Sequence, residues 1–343
     1  MRVVMEQPLW KYGSQEGFDS FCASLTNGTK LIAVSHTDVD GIGSAKIVDA
    51  ALQADAVYLM DYTEVNDVLV ERLRNEAPSH IVISDLGLKR DFVEKLSTFA
   101  RVLVIDHHQA SEDLNAERVA FMNAQGFCAT YLAYFLLHDF KDISSWEWLV
   151  ACACIADVAT NSVQGFMVAQ FQKEGLAFSN GVKQGTFWEL VTGINNALIY
   201  YAEDRMQVYR ALTSDFVMPH SLVEPARLIE ADIQECITRF NQGKEEINGR
   251  WYWEFVSQYR VKSTAVTMIS FLNPTRTCLI VNIDGDVASV SARCQDRHED
   301  MNLLLKKLVE GFPNADAGGH IPAAGGHFPV DRLSEFKKRL ENV

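Results

Sequence analysis

Several things are missing from this sequence, and each absence excludes something. No stretch reaches the roughly 18 consecutive apolar residues of a membrane-spanning helix, so no membrane association is expected. The first eight residues, Met1 to Pro8, lack the apolar core of a secretory signal. Positive charge is scarce: 31 Lys and Arg stand against 45 Asp and Glu, a net charge of −14. That balance argues against coating a long duplex by phosphate neutralisation and against a basic membrane-surface protein. Cysteine forms no framework. The seven are odd in number and scattered, and the one-residue gap between Cys152 and Cys154 is neither a zinc-knuckle nor a redox spacing. Small buried thiols in a reducing cytoplasm are expected instead. There is no internal repeat and no low-complexity tract.

What is present is an ordinary globular composition, 48% hydrophobic and 22% charged over 343 residues, enough for two domains with sizeable cores. The thirteen basic and thirteen acidic residues from Phe240 onward cancel, so the whole negative excess precedes them. Two halves of different electrostatics fit a two-domain chain.

The first half alternates apolar runs with helical periodicity. Strands are expected at 31–36, 56–60, 80–85 and 101–106, and helices at 41–53, 64–75 and 91–99. This alternation predicts βαβ units and a mainly parallel sheet covered on both faces. Helices then dominate (131–138, 146–156, 186–201, 225–240). Strand signals return at 251–259, 265–269, 277–283 and 288–292, followed by a helix at 302–310, a Gly-rich stretch at 311–326 and a last helix at 333–340. The expected architecture is α/β: a doubly wound, mainly parallel catalytic domain (1–200), a helical connector (201–247) and a smaller α/β C-terminal domain (248–343).

The chemistry-bearing residues fall at the expected strand ends. His36-Thr37-Asp38-Val39-Asp40-Gly41 follows the first strand, Ser84-Asp85-Leu86-Gly87 the third, and Asp106-His107-His108 the fourth. Asp157 ends a helix. In open α/β sheets the loops at carboxyl strand ends converge into sites, so His36, Asp38, Asp40, Asp85, Asp106, His107 and His108 are expected in one cleft. So many carboxylates raise one another's pKa unless cations intervene, and a pair of divalent ions would serve. Mixed Asp/His ligands suit manganese, iron or zinc, with manganese favoured by the carboxylates.

These four segments, with Ala156-Asp157, resemble the motifs of the DHH phosphoesterases, a superfamily that includes RecJ exonucleases, nanoRNases, cyclic-dinucleotide phosphodiesterases and family II pyrophosphatases. Ala288-Ser-Val-Ser-Ala-Arg293-Cys and Gly318-Gly-His320-Ile-Pro-Ala-Ala-Gly325-Gly are similar to the Arg and Gly-Gly-His motifs of the DHH-associated C-terminal domain of the RecJ and nanoRNase branches. The resemblance covers about residues 31–160 and 250–343. Val34 stands where some branches carry a His, and Ala317 stands in place of the first Gly of a Gly-Gly-Gly-His run, where it would narrow the substrate pocket. The resemblance implies that Asp38 and Asp85, with His36, hold one ion, and that Asp40, Asp85, His107 and Asp157 hold the other. It further implies that His108 faces the scissile phosphate, that Asp106 orients a histidine, and that Arg293, Gly318, Gly319, His320 and Gly325 grip a terminal phosphate or base.

The activity so implied is a manganese-dependent phosphodiesterase that hydrolyses short single-stranded oligonucleotides by a metal-activated water, its substrate held between the two domains. Alternatives are action on small nucleotides (phosphoadenosine phosphate or cyclic dinucleotides) and a catalytically silent nucleotide-binding regulator. Long duplexes are excluded as partners, and a homodimer is allowed.

Overall fold

The computed structural model describes residues 5–179 and 185–343, and the chain divides into two compact units, Met1–Val223 and Glu224–Val343. The first unit carries strands β1 (Leu31–His36), β2 (Ala56–Met60), β3 (His80–Ser84), β4 (Arg101–Asp106) and β5 (Val119–Asn123). All neighbours pair in parallel, in the order β2-β1-β3-β4-β5. Its helices are α1 (Gln15–Ala23), α2 (Val39–Leu52), α3 (Asp67–Glu76), α4 (Arg90–Ser97), α5 (Ala129–Leu137), α6 (Glu147–Ala156), α7 (Gln164–Lys173), α8 (Thr186–Tyr200) and α9 (Met206–Ala211).

Why the strand sequences read as unbroken apolar runs is clear from the packing. Alternate residues serve opposite faces. Leu31, Ala33, Val82, Leu103 and Ile105 join the core beneath α2, α5 and α6. Ile32, Val34, Ile81, Ile83, Val102 and Val104 join the core on the other face, with residues of α3 and α4. The expected doubly wound parallel sheet is therefore observed. The strand order reverses direction between β1 and β3, and such switch points open a crevice at the carboxyl ends of the strands.

Helix α10 (His220–Gly243) crosses the unit boundary in sequence, and most of it belongs to the second unit. That unit contains β6 (Glu245–Ile247), β7 (Arg250–Phe255), α11 (Lys262–Leu272), β8 (Cys278–Asp284), β9 (Val287–Arg293), α12 (Met301–Val309), β10 (Asp316–His320), β11 (Ala323–Pro329) and α13 (Leu333–Glu341). The sheet order is β10-β11-β9-β8-β7-β6, mixed, with only β7–β8 parallel. The aromatic run Trp251-Tyr252-Trp253 lies in β7, with Tyr252 and Trp253 buried, so a packed strand accounts for it.

Three expectations are corrected. Residues 265–269 form part of helix α11, not a strand: Ala265, Val266 and Ile269 are buried at helical spacing, and a five-residue apolar run cannot by itself separate the two periods. The Gly-rich stretch 311–326 is largely the β10–β11 hairpin, its strand character hidden because glycine carries no side chain to show alternation. Strand β5 was not foreseen, although its five residues are all buried.

Ile81, fully buried in central β3, tests the sheet core. Ile81→Ala should lower unfolding free energy by about 2–5 kcal/mol, measured by denaturant titration.

Candidate metal centre

The end of β1 delivers the first group. His36 is its last residue, and Asp38 caps α2, its Oδ1 accepting from Gly41 N at 2.9 Å. Gly41 is required sterically, since a Cβ there would lie 2.3 Å from the His36 carbonyl oxygen. Asp40 points inward. Its oxygens accept from Ala129 N at 2.7 Å and Thr130 N at 2.8 Å, the unpaired donors at the start of α5, where the helix dipole favours negative charge. Three buried hydroxyls underlie this turn. Ser35, Ser44 and Ser84 bond one another at 2.8–3.0 Å, and Ser35 also donates to Gly41 O at 2.7 Å.

Asp85 follows β3 with φ +58°, a left-handed conformation uncommon outside glycine that aims its carboxylate into the site. Its Oδ1 lies 3.1 Å from His107 Nε2 and its Oδ2 3.7 Å from His36 Nδ1. At the end of β4, His108 Nδ1 bonds Asp106 Oδ1 at 2.7 Å, while His107 Nδ1 lies 3.4 Å from Asp157 Oδ2 and His107 Nε2 lies 3.8 Å from Asp40 Oδ2. Asn123, buried at the end of β5, holds this turn by donating to Asp106 O at 3.2 Å and His108 O at 3.0 Å.

Donor atoms cluster in overlapping sets, His36–Asp38–Asp85, Asp40–His107–Asp157 and Asp85–His107–His108, each within 4.8 Å, with one Asp85 oxygen turned toward His36 and the other toward His107. Two buried atoms, Asp85 Oδ2 and His36 Nδ1, have no hydrogen-bond partner, although His36 Nδ1 comes within 3.0 Å of Asp38 Oδ2. Buried polar atoms left unpaired among carboxylates and imidazoles are what a divalent cation would satisfy. The donors present fit such ions.

Residues 30–160 match the family model described as the DHH family, N-terminal domain. This stretch is a DHH-family N-terminal domain. Asp106-His107-His108 and the other strand-end motifs from His36 to Asp157 lie within the matched range. Among solved structures, this fold resembles exonuclease RecJ bound to manganese at TM-score 0.70 and 18% identity, over 100% of this chain and 95% of that one. It also resembles RecJ from Thermus thermophilus in complex with Mn2+, at TM-score 0.69 and 18% identity, over 95% of this chain and 54% of that one. A third likeness is to PggH from Vibrio cholerae, a pGpG-specific phosphodiesterase, at TM-score 0.52 and 13% identity, over 92% of this chain and 98% of that one. No curated protein matches the sequence.

The DHH domain also recruits residues that sequence reading passed over. Tyr62 OH lies 2.9 Å from His108 Nε2, and its ring centroid is 4.6 Å from that of His36. Asp61 accepts from Thr37 Oγ1 at 2.9 Å and from Arg205 Nη1 at 2.8 Å. Asp61 and Tyr62 follow β2, which is also a carboxyl strand end, and that placement was the available signal. Nothing in sequence spacing could bring in Arg205.

In the second unit, Arg293 ends β9. It donates from Nε to Thr267 Oγ1 at 2.9 Å and from Nη1 to Ala292 O at 2.9 Å, and burial lowers its pKa. Lys262, at the start of α11, is pulled down to about 8 by burial and by the charges of Arg293 and Arg260. Gly318, Gly319 and His320 are exposed in β10, and Gly325 pairs with Gly318 across the hairpin. Gly319 has φ +146°, and a Cβ there would meet Ala323 O at 2.5 Å, so the hairpin itself demands this glycine. Ala317 corrects an expectation: its side chain is buried in the second unit's core and narrows no pocket.

Charge crowding in the DHH domain has a pH signature. Burial, then the neighbouring carboxylates, raises Asp85 well above the ordinary range. Asp40 is raised chiefly by burial, and Asp157 is pushed up to about 6 by burial and by Asp40. Burial would also raise Asp38 and Asp61, but the adjacent His36 outweighs it at Asp38, and hydrogen bonds from Arg205 and Thr37 outweigh it at Asp61, so both are lowered. Between the usual Asp value of 3.8 and about 6, Asp40, Asp85 and Asp157 therefore bind more protons folded than unfolded, and the stability these three contribute in the metal-free protein falls as pH rises. Asp85→Asn should raise the Tm of metal-free protein more above that window than below it, and manganese should raise the wild-type Tm far more above it than below it, as scanning calorimetry would show.

Proposed function

We propose that this chain is a manganese-dependent phosphodiesterase acting on short single-stranded oligonucleotides, with two ions held by His36, Asp38 and Asp85 on one side and Asp40, Asp85, His107 and Asp157 on the other. The observation that carries this reading is Asp85, buried, strained and facing both donor sets with one oxygen each. Bound ions would lower the pKa of a water and neutralise charge on the phosphoryl oxygens.

The chain's own residues supply the rest. Asp106 accepts from His108 Nδ1, and that hydrogen bond, more than its charge, raises the His108 pKa and favours the protonated ring. Held so, His108, its side chain a third exposed, could exchange the Tyr62 contact of Nε2 for a hydrogen bond to the phosphoryl group or a proton transfer to the leaving oxygen. Tyr62 positions that nitrogen from the other side. In the second unit, Arg293 and His320 would bind a terminal phosphate or base beside Gly318, Gly319 and Gly325, with Arg260 and Lys262 adding positive charge. The net charge of −14 disfavours long polyanions, so recognition of a short substrate by ions and a few donors fits better. The seven free, buried thiols suit a reducing compartment such as the cytoplasm.

A manganese panel of oligomers from two to about twenty nucleotides, RNA and DNA, with cyclic dinucleotides and phosphoadenosine phosphate, tests the substrate. The fold shared with a pGpG-specific phosphodiesterase makes dinucleotides an essential arm. Asp85→Asn should abolish manganese-dependent hydrolysis; full retained turnover would sink the mechanism. Two bound ions without turnover of any substrate would favour a silent nucleotide binder. Asp106→Asn should cost about 10–100-fold in kcat. Tyr62→Phe should lower kcat by about tenfold or less and shift the basic limb of the pH–rate profile, while leaving metal content unchanged.

A further inference from the structure

The second unit holds another group of metal-ligating atoms. Immediately after Arg293 the chain reads Cys294-Gln-Asp296-Arg-His298, in the segment between β9 and α12. Cys294 Sγ lies 3.3 Å from Asp296 Oδ1 and 3.4 Å from His298 Nδ1. Cys294 is fully buried, while Asp296 and His298 are exposed, so the group is anchored on one side and open on the other. We propose that Cys294, Asp296 and His298 bind one zinc ion, independently of the carboxylate centre.

The imidazole orientation is the deciding feature. Arg250 Nε bonds both oxygens of Glu299, at 2.9 and 3.0 Å. Glu299 accepts the proton of Thr277 Oγ1 at 3.0 Å. With its hydrogen committed there, Thr277 can only accept from His298 Nε2, 3.3 Å away. A ring hydrogen on Nε2 would leave the Nδ1 lone pair facing Cys294 and Asp296. Yet Nδ1 sits 2.5 Å from Asp296 Oδ1. Two lone pairs face each other at that distance only with a positive charge between them, either a second ring proton or a metal ion. A carboxylate–threonine relay behind an imidazole is the outer support that metal-binding histidines use.

The spacing suits zinc. Bonds of about 2.3 Å to sulfur and about 2.0 Å to nitrogen and oxygen, arranged tetrahedrally, give edges of about 3.5 Å from sulfur and about 3.3 Å between nitrogen and oxygen. The two sulfur edges already match, and the nitrogen–oxygen edge must open by under about 1 Å. Thiolate with imidazole selects zinc over manganese. Binding releases the Cys294 thiol proton to solvent and leaves the fourth position to water on the exposed side. The ion would brace a segment tied to the hairpin turn of the second unit, since Cys294 N donates to Pro322 O and Met301 N to Ile321 O, both at 2.9 Å. It would thus hold Arg293 and His320 in fixed register.

Cobalt titration of the full, metal-stripped chain tests this, because cobalt bound by thiolate shows a near-ultraviolet charge-transfer band that carboxylate sites lack. Wild type should develop the band to one equivalent and lose it on zinc addition. Asp85→Asn should keep it. His298→Gln, at an exposed position, should weaken cobalt affinity by about tenfold or more, and Cys294→Ser should abolish the band. Circular dichroism checks that each variant is folded; should the buried Cys294→Ser fail to fold, His298→Gln decides alone. Absence of the band in wild type, or unchanged affinity in His298→Gln, overturns the proposal.

Discussion

Like charge gathered out of water governs the first unit. Asp38, Asp40, Asp85, Asp106 and Asp157 converge at one end of a parallel sheet, three of them almost wholly buried. Within a donor set the ligand atoms lie within 4.8 Å, and at that range and an effective dielectric near 20 an ionised pair such as Asp38–Asp85 or Asp40–Asp157 repels by about 3–4 kcal/mol. A hydrogen bond to a charged group returns about 1.5–3 kcal/mol. Asp40 recovers two such bonds from the start of α5, and Asp106 one from His108. Asp85 has only His107, and its second oxygen is unpaired. The deficit therefore collects at the residue that faces both donor sets, and protons or cations must make it up.

The surrounding structure is arranged to hold that unfavourable group in place. The Ser35–Ser44–Ser84 hydroxyls lock the ends of β1 and β3 to the first turn of α2. Gly41 lets that turn approach the His36 carbonyl, and Asp85 takes its left-handed conformation at the end of a strand packed on both faces. Asn123 ties the Asp-His-His turn to β5. Order in this region comes from apolar burial on both sheet faces, which offsets the electrostatic cost at its edge. The second unit gathers like charge of the other sign, where burial and the charges of Arg293 and Arg260 lower the Lys262 pKa.

Much of this was legible in the sequence, for identifiable reasons. Strands covered on both faces leave continuous apolar runs, so β1, β3 and β4 could be placed. Their ends follow directly, and so do His36, Asp38, Asp40, Asp85, Asp106, His107 and His108 as a group. The second unit was less readable. The helical residues 262–272 contain a run too short to reveal its period, and the β10–β11 hairpin is written in glycine.

The sequence alone determined the fold class of the first unit and the chemical type of its site, because hydrophobic periodicity and short motifs are local properties of the chain. Only tertiary structure decided which atoms meet. Tyr62 against His108, Arg205 against Asp61 and the start of α5 against Asp40 join residues far apart in sequence, and their pairing depends on strand order and helix placement. The same holds for Thr277 beside His298, which meet only once the start of β8 and the segment following β9 are side by side.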